Sequence, residues 1–151
     1  MISTSYHVLF LCTGNSAGSF PRGEIHPAAL NLLRDLDHPI DHLRSKSWDE
    51  FAGPSAPQID FIFTLCDNAA DETCPIWPGK PTTVRWGLPD PAAVDGSDDD
   101  IAQTFSFTYH LLSNQISTFI QLAIDSFDKA ELLSQLVVID TSIARSTQDA
   151  V

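Results

Sequence analysis

Cys12 is the residue whose surroundings first suggest chemistry. It ends the apolar run in VLFLCTGNSAGS and opens a loop of Thr13, Gly14, Asn15, Ser16, Ala17, Gly18 and Ser19. Successive backbone amides in such a loop can converge on one point, where they hold a small oxyanion and favour the thiolate, the nucleophilic form of cysteine. Two more cysteines, Cys66 and Cys74, enclose the polar stretch DNAADET. Three cysteines cannot close a disulfide framework. Reduced thiols with metal, redox or nucleophilic roles therefore compete with plain core residues. Asp90, between two prolines in LPDP, either supplies a proton or simply opens an Asp-Pro turn.

Other polar groups offer less. His7, His26, His38, His42 and His110 have no ligand spacing with the cysteines, and the separation of Cys66 from Cys74 is too wide for a zinc knuckle. Surface and capping roles suit these histidines better. The acidic run DGSDDD lacks the glycine and terminal glutamate of a calcium loop, so it reads as a helix start. No metal and no cofactor is expected.

Three strands position the thiols. His7 to Cys12 is a continuous apolar run of the kind buried on both faces of a parallel sheet. Asp60 to Cys66 is a second, and Thr82 to Trp86 a weaker third. Each runs out into a loop rich in reactive or acidic residues, which suggests an open α/β sheet with its site at the carboxyl edge. Between them a helix begins with Pro27 at its first position, turns Ala28, Leu30, Leu32, Leu33 and Leu36 inward, and ends at His38-Pro39. A long helix starts after Gly96, capped by Ser97 and the aspartates beside it. Its stripe is Ile101, Phe105, Tyr109, Leu112, Ile116 and either Phe119 or Ile120. A short helix is expected near Lys129 to Val138, and a polar tail over 141–151.

The 151 residues, 43% apolar and 19% charged, suit one domain over 1–140. The formal charge of −12 repels nucleic acid and anionic membranes, so neither is an expected partner. The opening MISTSYHVLFLC has no basic n-region, and its apolar run is too short for a signal core or a membrane span. A cytoplasmic protein is the expectation.

The motifs VLFLCTGNSA, SKSWDEF, TLCDNAADETCPIWPG and RWGLPDPA, in that order, resemble the arsenate reductases of the low-molecular-weight protein tyrosine phosphatase-like family. The likeness extends from Val8 to about Ala123. It implies that Cys12 attacks arsenate, or a similar small oxyanion, held by the loop amides. By the same likeness Cys66 expels arsenite from the arseno-cysteine, and Cys74 takes over the disulfide for a thioredoxin- or glutaredoxin/glutathione-type reductant. Asp90 stands in the place of the family's general acid, and Asn15 in that of the residue bracing the loop.

One part of the pattern is absent. The family loop carries an arginine six positions after its cysteine, followed by a long helix and a second strand; here that position is Gly18, and SAGSFPRG resembles the segment leaving the second strand. The expected fold is therefore α/β, a small open parallel sheet with flanking helices, phosphatase-like but truncated internally. A parallel crossover needs a dozen or more residues. With Pro21 and Gly23 in the way, Thr13 to His26 leave no room for another strand-and-helix pair, so the helix at Pro27 is expected to cross to Asp60. The loop then lacks a helix dipole and a bidentate cation; Arg22 is a nearby candidate to replace the arginine, on a segment whose family counterpart lies away from the loop. Uncovered sheet surface predicts an oligomer, a partner or reduced stability. Three functions remain: a reductase impaired by the missing arginine, a non-catalytic relic or binding module, and a residual phosphatase.

Overall fold

The computed structural model describes residues 4–12, 17–18, 23–65 and 77–148, and the side chains of 17–18 and 141–148 lie outside that description. The chain divides into two compact units, Met1–Ile25 with Asp41–Arg85, and His26–Ile40 with Trp86–Val151.

The first unit holds a three-stranded parallel sheet of β1 (Val8–Leu11), β4 (Phe61–Thr64) and β5 (Thr82–Arg85), in the order β1-β4-β5. All three expected strands form, each slightly inside its expected limits. Val8 pairs with Phe61 and Phe61 with Thr82, and this register carries through to Leu11, Thr64 and Arg85. One face is apolar through Leu9, Leu11 and Ile62, which pack with Ile59 and with Trp48, the first residue of a 3-10 turn at Trp48–Phe51. On the other face Phe10 stacks on Phe63 at 5.4 Å between ring centroids. Phe63 is fully buried. Registered residues of a parallel pair share a face, so both ladders of side chains run straight across the strands.

The expected crossover is corrected by a second, two-stranded parallel sheet, β2 (Ala17–Gly18) with β3 (Lys46–Ser47). Helix α1 (Pro27–Asp35) therefore links β2 to β3 before the chain continues to β4. Two residues of strand need only backbone hydrogen bonds and no apolar run, so Pro21 and Gly23 do not prevent β2 from forming.

In the second unit α1 packs on α2 (Asp98–Ile120), and α2 on α3 (Lys129–Gln148). The His26 ring caps α1, its Nδ1 accepting from the Ala28 N–H at 3.1 Å, and stacks on Phe105 at 4.7 Å. Asp37, in the left-handed region at φ 58°, ends α1. Its N–H donates to the Arg34 carbonyl at 3.0 Å, and the His38 N–H to the Leu33 carbonyl at 2.9 Å. This six-to-one closure is the usual end of a helix, built with aspartate in place of glycine. Ala28, Leu30, Leu32 and Leu33 are half-buried as expected, but Leu36 falls on the cap and is 41% exposed.

Helix α2 opens on a reciprocal cap. The Ser97 hydroxyl accepts from the Asp100 N–H at 3.2 Å, while Asp100 Oδ2 accepts from the Ser97 N–H at 3.1 Å. Phe119 is the buried member of its last pair, and Ile120 is 70% exposed. Trp86, fully buried, meets Phe119 edge-on and donates its indole N–H to the Leu136 carbonyl at 3.2 Å. Helix α3 runs ten residues past the expected Val138, through the polar stretch read as a tail. No glycine or proline occurs between Lys129 and Gln148 to stop it.

Candidate functional site

The candidate site lies at the carboxyl edge of the three-stranded sheet, where strands hand over to loops and where open α/β sheets bind ligands. Leu11 is the last residue of β1 and fully buried, so Cys12 follows at a point the core fixes. The Leu65 N–H donates to the Leu11 carbonyl at 2.9 Å and carries the pairing one step beyond β4. Cys12 is a half-buried thiol at this junction. Five residues on, Ala17 is already in strand β2, paired with Lys46.

Of the expected anion loop, Ala17 and Gly18 are described as backbone, and Thr13, Gly14, Asn15, Ser16 and Ser19 lie outside the described residues, as does Arg22. Cys66 and Cys74 lie outside them as well.

Asp90 belongs to the second unit. It caps a 3-10 turn at Pro91–Ala93, with Oδ1 accepting from the Ala92 N–H at 2.9 Å. The Asp-Pro turn reading thus has its hydrogen bond. One carboxylate oxygen of a half-buried side chain is committed to it.

The motif SKSWDEF has a structural use. Ser47 caps the 3-10 turn by accepting from the Asp49 N–H at 3.3 Å, and Trp48 is buried in the sheet's core. Arg44 bonds both carboxylate oxygens of Glu50, at 2.8 and 2.6 Å, and these bonds hold the Glu50 carboxyl below its ordinary range.

The motif RWGLPDPA begins on the end of β5. Arg85, the last residue of β5, is exposed and lies in one row with Thr64 and Leu11. Among the described residues no group of three His, Cys, Asp or Glu side chains has the makings of a metal site. Nor, among them, is any helix long and apolar enough to cross a membrane.

No protein-family model matches the chain. An arsenate reductase of Halalkalibacterium halodurans is 28% identical over 134 aligned positions, covering 74% of this chain and 93% of the relative. One from Oceanobacillus iheyensis is 27% identical over 133 positions, with the same coverage. Among solved structures, an arsenate reductase from Archaeoglobus fulgidus matches 70% of this chain and 98% of its own at 19% identity, with a TM-score of 0.42, too low to establish a shared fold. Through its sequence relatives, the chain is a homologue of the arsenate reductases.

Proposed function

We propose that the protein is an arsenate reductase-like enzyme with a phosphatase-like fold, acting as one domain over residues 1–140. The observation that carries the reading is its match to arsenate reductases across nearly their whole length. The half-buried thiol at the carboxyl end of β1 supports it, because that position suits a nucleophile.

In this reading the Cys12 thiolate attacks the arsenic of arsenate, and an oxygen leaves as water, with Asp90 as candidate proton donor. The Cys66 thiolate then attacks the Cys12 sulfur. The electron pair of the sulfur–arsenic bond stays on arsenic, which leaves as arsenite, and a Cys12–Cys66 disulfide forms. Cys74 displaces Cys12 from that disulfide. An external dithiol of the thioredoxin or glutaredoxin type reduces the resulting Cys66–Cys74 bond. Such a relay suits the cytoplasm, where thiols stay reduced.

Loss of an internal segment is part of the proposal. The 134 aligned positions draw on 74% of 151 residues, about 112, and leave about 22 to which this chain contributes nothing. Only residues 13–16 separate Cys12 from β2, too few for the family's helix. The same observations favour a second reading, a protein that has lost turnover along with its loop arginine. Self-association over sheet surface uncovered by the missing helix belongs to either reading.

Arsenite production by the purified chain, supplied with thioredoxin or glutaredoxin and their reductants, separates the two. Turnover that disappears in Cys12→Ser supports the enzyme. No turnover above background with either reductant removes it and leaves the second reading.

A further inference from the structure

We propose that the Asp95–Gly96 peptide is a site of spontaneous main-chain modification, which closes to a succinimide and reopens in part as β-linked isoaspartate, the substrate of a methyl-transferring repair enzyme. The inference is independent of the reductase reading and stands on the entry to helix α2. In the closing step the Gly96 nitrogen attacks the side-chain carboxyl carbon of Asp95. The Gly96 N–H proton is lost, and a carboxyl oxygen leaves as water. Water then opens the ring at either carbonyl. Attack at the side-chain carbonyl restores aspartate; attack at the main-chain carbonyl leaves the chain running through the former side chain, with a free α-carboxylate that a methyl donor can esterify. Water is the only co-reactant of the rearrangement.

Three observations single out this peptide. It is the chain's one Asp-Gly pair, and glycine leaves its nitrogen unshielded by a side chain. Both residues are exposed, on the stretch between the 3-10 turn at Pro91–Ala93 and α2. Among the described residues, neither the Asp95 carboxylate nor the Gly96 N–H has a hydrogen-bond or ion-pair partner, so nothing ties up the attacking nitrogen. Other aspartates are guarded. After Asp125 the Ser126 N–H donates to the Ala123 carbonyl at 2.9 Å, after Asp37 the His38 N–H donates to the Leu33 carbonyl at 2.9 Å, and Asp90 precedes a proline, which has no N–H. The glycine has a structural cause of its own. A Cβ at position 96 would lie 3.0 Å from both Cβ and Oδ2 of Asp100, which the reciprocal cap with Ser97 holds in place. The device that starts α2 thus favours the residue that makes Asp95 labile.

The test ages the full chain at neutral pH and physiological temperature. The aged protein is then given a protein isoaspartyl methyltransferase and S-adenosylmethionine with a labelled methyl group, and labelled peptides are identified by electron-transfer fragmentation. Label is expected on the peptide containing Asp95 and should grow with ageing time. Ageing in heavy-oxygen water should also mark that peptide, because ring opening takes its oxygen from solvent. Asp95→Glu keeps the charge, but its longer side chain closes such a ring poorly, so label at this peptide should be lost. Asp95→Asn expels ammonia more readily than water and should gain label faster than the parent. Both changes fall on an exposed side chain, and unchanged melting temperatures will show that the fold is kept. A synthetic peptide of residues 92–101 with isoaspartate at 95, labelled in parallel, makes a blank in the protein a true absence. An Asp95 peptide that stays unlabelled overturns the proposal, whatever other peptides carry, and so does equal label in Asp95→Glu and the parent. Either result leaves the reductase reading as it stands.

Discussion

The two units are built from contacts of different reach. In the sheet unit the core joins Leu9 and Trp48 to the distant pair Ile59 and Ile62, and no two strands of the three-stranded sheet are joined by a tight turn. In the helical unit each helix is closed by its immediate neighbours: His26 over Ala28, Ser97 with Asp100, and Asp128 with Glu131, whose side chains each accept from the other's N–H. The thiol sits in the unit made from distant contacts. A parallel sheet collects strand ends from separate parts of the sequence at one edge, which a pair of capped helices does not do.

If that contrast is real, damage should stay local. Phe63→Ala removes a fully buried ring stacked on Phe10 and should cost about 3–5 kcal/mol, with the lost hydrogen-exchange protection concentrated in β1, β4 and β5. Leu136→Ala, at a fully buried position, should cost about 2–5 kcal/mol and expose the amides of α2 and α3 instead. Equal losses everywhere in both variants would show one cooperative unit and end the comparison.

Ser97→Ala should cost about 1 kcal/mol, read as a lower melting temperature and as fraying of the first turn of α2. A change of opposite sign is expected at the other kind of helix end. Asp37→Gly relieves a left-handed aspartate and should stabilise by about half a kcal/mol, so a fall in melting temperature would contradict the strain argument.

Acid distinguishes the units most finely. The Ser97 hydroxyl, and then its N–H, hold Asp100 below its ordinary pKa, and the Arg44 guanidinium does the same to Glu50. A carboxyl depressed by folding stabilises above its unfolded pKa, and that support fades as pH falls through the folded value. Ser97→Ala should flatten the acid arm of the helical unit's melting curve, and Arg44→Ala that of the sheet unit. Both charged groups are exposed, so salt near 1 M should erase most of the Arg44 effect.

The strands were legible because a continuous apolar run fits few other structures, and α2 because its cap and stripe agree. Strands β2 and β3 were not, since no periodicity fits into two residues. The extension of α3 past Thr141 was hidden by polarity, which says what a helix faces rather than whether it continues. Leu36 fits the inward stripe on spacing, but the chain leaves the helix there. Cys12 and Asp90 were legible as candidates by residue type and surroundings, and Asp90 folds in the second unit as a turn cap. The row that joins Leu11, Thr64 and Arg85 was not legible, because it exists only once β4 is inserted between β1 and β5, and register between distant strands leaves no mark in either.

The first of those long-range pairings also sets an order of events. The His7 N–H reaches the Asp60 carboxylate at 2.7 Å across 53 residues, and the β1–β4 ladder begins beside that bond. Closing so long a span before any pairing rewards it is slow, whereas helical turns form from neighbours within microseconds. Cys12 is thus among the later residues to reach its place, and a newly made chain carries that thiol unsheltered until β4 arrives.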